Sequence, residues 1–127
     1  MPTLEEIMSR DVLTTAADST IAEAATAMLK AQVGSAVVMD GAYLAGILTE
    51  RDVVRAAAAG SDPTSTPVSE WMTPDPVTAS PDTEAEEAAE IMMSQGFRHL
   101  PVVRGTDMVG IASLRDILRT RIRRRSS

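Results

Sequence analysis

Polar and apolar positions follow two different periods along this chain, and the switches between them mark its elements. After Thr20, apolar residues fall at Ile21, Ala24, Ala25, Met28 and Leu29, the i, i+3, i+4, i+7, i+8 rhythm of one helical face. Thr20 and Glu23 stand at capping-box spacing, so a helix is expected from there to near Gly34. Ser35 to Met39 is then a nearly continuous apolar run of strand length, Asp40-Gly41 is a hairpin signal, and Tyr43 to Thr49 is the returning strand. A further helix is expected from about Glu50, through Val53, Val54 and the alanines, to Gly60. Upstream, Thr3 is placed to cap a short entry helix over Leu4 to Met8, with Glu5 and Glu6 at its positive end, and Asp11 to Thr15 reads as a short strand.

The same order returns 64 positions later. Gly46-Ile47-Leu48-Thr49-Glu50-Arg51-Asp52 recurs as Gly110-Ile111-Ala112-Ser113-Leu114-Arg115-Asp116, and Glu23-Ala24-Ala25 as Glu87-Ala88-Ala89. At this offset Val68, Trp71 and Met72 fall in a second entry helix and Val77-Thr78 in a second first strand. Ala85, Ala88, Ala89, Met92 and Met93 form a second helical stripe. Leu100 to Val103 and Met108 to Ala112 flank a turn at Gly105-Thr106-Asp107, and a last helix carries Leu114, Ile117, Leu118 and Ile122. The methionines fall on helical stripes and read as core filler. The chain is expected to be α/β and to comprise repeat 1 (1–60), a turn-rich linker (61–67), repeat 2 (68–122) and a basic tail (123–127). Each repeat alone is close to the size at which burial becomes too small for comfortable stability, so the two are expected to share one core.

Composition narrows the function classes. The net charge of -6 argues against a general binder of nucleic acid or anionic membrane, and three aromatics (Tyr43, Trp71, Phe97) supply no stacking platform for single strands. With no cysteine and one histidine, thiolate chemistry, disulfides and a multi-histidine metal site within one chain are excluded. The segment Met1 to Glu6 is acidic where a signal peptide is basic, and no apolar run approaches the ~18 residues of a membrane span; the expectation is a soluble, cytoplasmic protein.

With both copies laid out, the chain resembles a tandem pair of cystathionine-β-synthase (CBS) domains, the Bateman module, of the stand-alone bacterial type. The resemblance rests on Asp18 to Met28, Val38 to Gly41 and Gly46 to Asp52 in the first copy, and on Asp82 to Met92, Gly96 to Val103 and Gly110 to Asp116 in the second. It implies two repeats, each β-α-β-β-α behind a short entry helix, packed about a pseudo-twofold axis. Clefts between the repeats would accept AMP, ADP, ATP, NAD or S-adenosylmethionine. It also implies a module without chemistry of its own that forms a disc-shaped homodimer and regulates an unidentified effector protein.

The Thr/Ser-x-x-Asp element falls where a strand gives way to a helix, setting a hydroxyl and a carboxylate one turn apart near free amides. Two roles fit it. Thr49 and Ser113 can cap the helix with Asp52 and Asp116 serving its first turn, or the carboxylates can accept from ribose hydroxyls. The resemblance assigns the second, and places Thr49, Ser113, Arg51 and Arg115 nearer a phosphate. Leu13, Val37, Ile47, Val77, Pro101 and Ile111 are candidate walls for the adenine, with Thr14 and Thr78 offering polar contacts. Arg98 and His99 stand where the family often holds phosphate, and His99, titrating ordinarily at about pH 6.5, would make that affinity pH-dependent. The first copy has Gly34 and Ser35 there, so the two clefts are expected to be unequal.

Arg115, Arg119, Arg121, Arg123, Arg124 and Arg125 make the last helix basic, either as a solvated end that complements the helix dipole or as an anion-binding surface. Glu84, Glu86, Glu87 and Glu90 read as a solvated helix face. The reading is therefore a regulatory sensor that takes an adenine nucleotide as ligand, requires no cofactor or metal and is not an enzyme. The alternative is a dimerisation or scaffold module with vestigial clefts.

Overall fold

The computed structural model describes residues 2–126, with side chains described as far as Thr120. Ile122, Arg121, Arg123, Arg124 and Arg125 lie outside the described side chains, as does the expected basic tail. The elements in chain order are α1 (Leu4–Ile7), β1 (Thr14–Ala16), α2 (Ile21–Ala31), β2 (Ser35–Asp40), β3 (Tyr43–Thr49) and α3 (Glu50–Ala58). A one-turn 3₁₀ helix (Val68–Glu70) then leads to β4 (Thr73–Pro74), α4 (Ala85–Gln95), β5 (His99–Arg104), β6 (Asp107–Ser113) and α5 (Leu114–Ser126). The α/β class and the repeated order agree with the sequence pattern.

The chain folds as two compact units whose limits differ from those of the repeats. A central unit comprises Leu13–Pro76, and a terminal unit comprises Met1–Val12 together with Val77–Ser127. Each repeat thus lends its entry segment to the unit built on the other. In the central unit the sheet runs β1-β2-β3-β4, with β1 parallel to β2 and the remaining pairs antiparallel. Its outer strand β4, from the second repeat, sets Pro74 opposite Gly46 and Thr73 opposite Ile47. In the terminal unit β5 pairs antiparallel with β6, and Ser9, from the first repeat, bridges Ile111. Both exchanges need a glycine: a Cβ on Gly46 would stand 2.6 Å from the Thr73 carbonyl oxygen, and one on Gly110 2.9 Å from that of Ser9.

Each unit has its own cluster of buried residues. Ile21, Ala24, Met28, Ala36, Val38, Ala45 and Leu48 pack with Val68, brought by the second repeat's entry turn. Ala85, Ala88, Ala89, Met92, Leu100, Val102, Ala112 and Ile117 pack with Leu4 and Met8 from α1. Each cluster is completed by an apolar residue from the other repeat's entry segment, which is how two repeats too small to bury enough surface alone come to depend on each other.

Several expectations change. Thr3 precedes α1 without capping it by its side chain. The helix expected to end near Gly34 stops at Ala31, where Gln32 takes the left-handed conformation (φ 58°) that Gly96 takes after α4 (φ 80°). Val77-Thr78 forms no strand, and only Ala79 bridges Val102. The reason is Pro101. Its counterpart Val37 donates its N–H to the Leu13 carbonyl at 2.8 Å, a bond a proline cannot make. The stripes are narrower than expected too: Leu29 and Met93 are 80% and 64% exposed, while Met28 and Met92 fill the cores.

Candidate functional site

Each antiparallel ladder carries the candidate residues to one end. In the central unit Ser35 pairs with Thr49 and Val37 with Ile47, while Thr14 of β1 pairs with Val37. In the terminal unit His99 pairs with Ser113 and Pro101 with Ile111; Thr78 adjoins Ala79, whose N–H donates to the Pro101 carbonyl at 3.0 Å. Pairing in register and alternation along a strand put these rows on one sheet face, opposite the one packed on α2 or α4. Val37, Ile47 and Pro101 are buried, Ile111 is partly buried, and Thr14, Thr78, Leu13 and Val77 are exposed or partly so.

At the ladder ends the two copies diverge. Thr49 caps α3: its hydroxyl accepts from the Asp52 N–H at 3.3 Å, and Asp52 Oδ2 accepts from the Thr49 N–H at 2.9 Å and the Thr49 hydroxyl at 3.1 Å. Asp52 Oδ1 meets Arg55 Nη1 at 3.3 Å, and the Arg55 guanidinium lies 5.7 Å from the centre of the Trp71 ring. The Asp52 carboxylate, 5% exposed, therefore has partners on both oxygens. The capping role and the carboxylate proposed for ribose are one group here.

In the terminal unit Ser113 Oγ accepts from the Asp116 N–H at 3.1 Å, but the half of the box that would return from the Asp116 carboxylate is absent. Among the described residues no side chain donates to that carboxylate, and it is partly exposed. Trp71 has Ile7 as its counterpart 64 positions earlier, and among the described residues no aromatic ring stacks on Arg119 as Trp71 does on Arg55. Arg98 is exposed, His99 is partly buried at the start of β5, and the Arg98 carbonyl accepts from the Leu114 N–H at 2.9 Å. Arg51 and Arg115, at the first turns of α3 and α5, are exposed.

The structure thus brings Thr14, Val37, Ile47, Thr49 and Asp52 together in one unit. In the other it brings Thr78, Arg98, His99, Pro101, Ile111, Ser113 and Asp116 together. Sequence reasoning missed Arg55, which pairs with Asp52, and Trp71, whose ring lies against Arg55. The signal was there in Arg55, three positions after Asp52 and able to reach it on a helix. Among the described residues no cluster of His, Asp and Glu is placed to hold a metal, and no helix is long and apolar enough to cross a membrane.

The CBS domain profile matches this chain twice, over residues 4–59 and 68–123. The chain belongs to the CBS domain family. This CBS pair is 36% identical over 118 residues to the CBS domain-containing protein YhcV of Bacillus subtilis, spanning 92% of this chain and 84% of the relative. Among solved structures, a putative signal-transduction protein with CBS domains from Burkholderia ambifaria superposes with a TM-score of 0.91 at 28% identity, covering 95% of this chain and 94% of the other. The CBS domain pair of protein MJ0100, solved in complex with 5′-methylthioadenosine and S-adenosylmethionine, gives 0.90 at 26% identity and covers 98% of each chain.

Proposed function

We propose that this CBS pair is a regulatory module. It binds an adenosine-containing ligand at the strand-to-helix ends of its repeats and passes occupancy to a partner polypeptide, with no chemistry of its own. The observation that carries this reading is Asp116: a carboxylate one turn into α5, with its backbone amide already capped by Ser113 and, among the described residues, no side chain donating to either oxygen. Arg98, His99 and Arg115 supply cationic or donor groups at the same ladder end, and Pro101 with Ile111 supplies an apolar surface for a base. The ligands of the MJ0100 pair, both adenosine derivatives, support the class.

Self-association is part of the proposal. Leu29 and Val54 of the central unit, and their counterparts Met93 and Leu118 of the terminal unit, are all exposed large apolar residues on helices. A pattern that recurs at equivalent positions in both copies fits a homodimer in which a second chain covers both. The closure of Asp52 favours a second reading for the central unit, a dimerisation or scaffold half whose ligand end is vestigial.

Calorimetric titration with AMP, ADP, ATP, NAD and S-adenosylmethionine tests the proposal. Saturable binding of a phosphorylated ligand whose tight phase Asp116→Ala removes supports it. A folded protein that binds none of them refutes it in favour of the scaffold reading.

A further inference from the structure

The two ladder ends place equivalent positions side by side and fill them with opposite chemistry. In the central unit Glu50 donates its N–H to the Gly34 carbonyl at 3.0 Å; in the terminal unit Leu114 does the same to Arg98 at 2.9 Å. Gly34 is not among the positive-φ glycines, so the backbone does not demand a glycine there. What occupies its side-chain space is Glu50, whose Cδ would lie 3.3 Å from a Cβ at position 34 and whose Oε1 would overlap it. A carboxylate thus stands over Gly34, where the other copy has the exposed Arg98 paired through its carbonyl with the uncharged Leu114.

The remaining charges are matched: Arg51 with Arg115, Asp52 with Asp116, Arg55 with Arg119. The central end therefore sets two carboxylates against two guanidinia, one of which is engaged by Asp52. At the matched positions the terminal end carries one carboxylate and three guanidinia. A phosphate meets a carboxylate at the first end and an excess of cations at the second.

Resting on the adenosine reading above, we propose that Glu50 over Gly34 excludes phosphate from the central unit, which takes an adenosine ligand whose 5′ substituent is neutral or cationic. The terminal unit takes a phosphorylated one. One chain would then weigh two adenosine pools that differ in charge.

The test is amide NMR of the full chain titrated separately with inorganic phosphate, AMP and adenosine. Phosphate and AMP should move the amides of Arg98, His99, Ser113 and Asp116 at about tenfold lower concentration than those of Ser35, Thr49 and Asp52, as expected for one unit charge acting on a nearby phosphate. Adenosine should move both sets. The Gly34→Arg/Glu50→Leu double variant, which copies the terminal pair, should close the tenfold gap. Glu50→Gln, which keeps the shape and removes the charge, should narrow it severalfold. Equal response of both sets to phosphate, response of neither, or a gap that survives in both variants would overturn the inference. If phosphate discriminates as stated but adenosine moves neither set, the adenosine reading falls and phosphate exclusion stands. If adenosine binds both ends and phosphate does not discriminate, the reverse holds.

Discussion

Removing Asp52 and removing Asp116 should have opposite consequences, although the sequence gives the two residues the same motif. Asp52→Ala leaves the Thr49 N–H and hydroxyl without their acceptor and Arg55 without its partner. A lost cap is worth about 1 kcal/mol. The partly buried Thr49 N–H left unpaired adds about 1 kcal/mol, and the Arg55 pair, whose arginine is 60% exposed, adds only a few tenths after solvent screening. The total of about 2 kcal/mol corresponds to a fall in Tm of roughly 6–10 °C at this chain length. Among the described residues Asp116→Ala removes no side-chain acceptor in use, and its lost interaction with the helix dipole is partly offset by the better helix propensity of alanine. Its stability should stay within about 0.5 kcal/mol of the parent. Ligand protection should run the other way: a saturating adenine nucleotide, at a hundred times its Kd for the terminal end, raises stability by about 2.7 kcal/mol through that end in the parent and in Asp52→Ala, a contribution missing from Asp116→Ala, where only the weaker central end remains. Thermal melts of the three proteins with and without AMP read both effects. Equal losses of stability at the two positions would refute the claim that only the central box is closed, and undiminished protection in Asp116→Ala would refute the assignment of the nucleotide to it.

Other outcomes follow from local geometry. Gln32→Gly, at the left-handed C-cap where the second copy already has glycine, should stabilise the protein by about 0.5–1 kcal/mol, checked by the urea midpoint. Glu23 has its pKa lowered from the usual 4.5, chiefly by the Thr20 backbone N–H and then by the Thr20 hydroxyl. A carboxylate depressed by folding contributes above its unfolded value and loses that contribution as pH falls through the folded one, so Glu23→Gln should flatten the loss of stability below about pH 4.5. Tyr43, the one tyrosine, donates to Asp75 at 2.7 Å, and that bond, with the nearby charge, raises its pKa above the usual 10.0. The hydroxyl favours its protonated form in the fold, so this contribution is present below pH 10 and lost above it; tyrosinate absorbance in Asp75→Asn should return the titration to the usual range.

The sequence by itself determined the elements and their repetition. The 3.6-residue stripe behind Thr20, the Asp40-Gly41 hairpin and the capping box at Thr20-Glu23 all act within a few residues, so their outcome is decided locally. The same local rules placed Thr49, Asp52, Ser113 and Asp116 at the ends of strands. The 64-residue offset showed that Gly34-Ser35 and Arg98-His99 are unequal. What only the tertiary structure decided involves partners distant in sequence. Val68 and Trp71 belong to the second repeat but pack in the central unit, and Leu4 and Met8 belong to the first but pack in the terminal one. No periodicity encodes which sheet edge an entry segment will choose, because that choice follows from burial and from room beside Gly46 and Gly110. For the same reason a single motif yields a carboxylate engaged by its cap and Arg55 in one unit, and an open one in the other. A side chain's local spacing fixes what it can reach, and the packed neighbours fix what it holds.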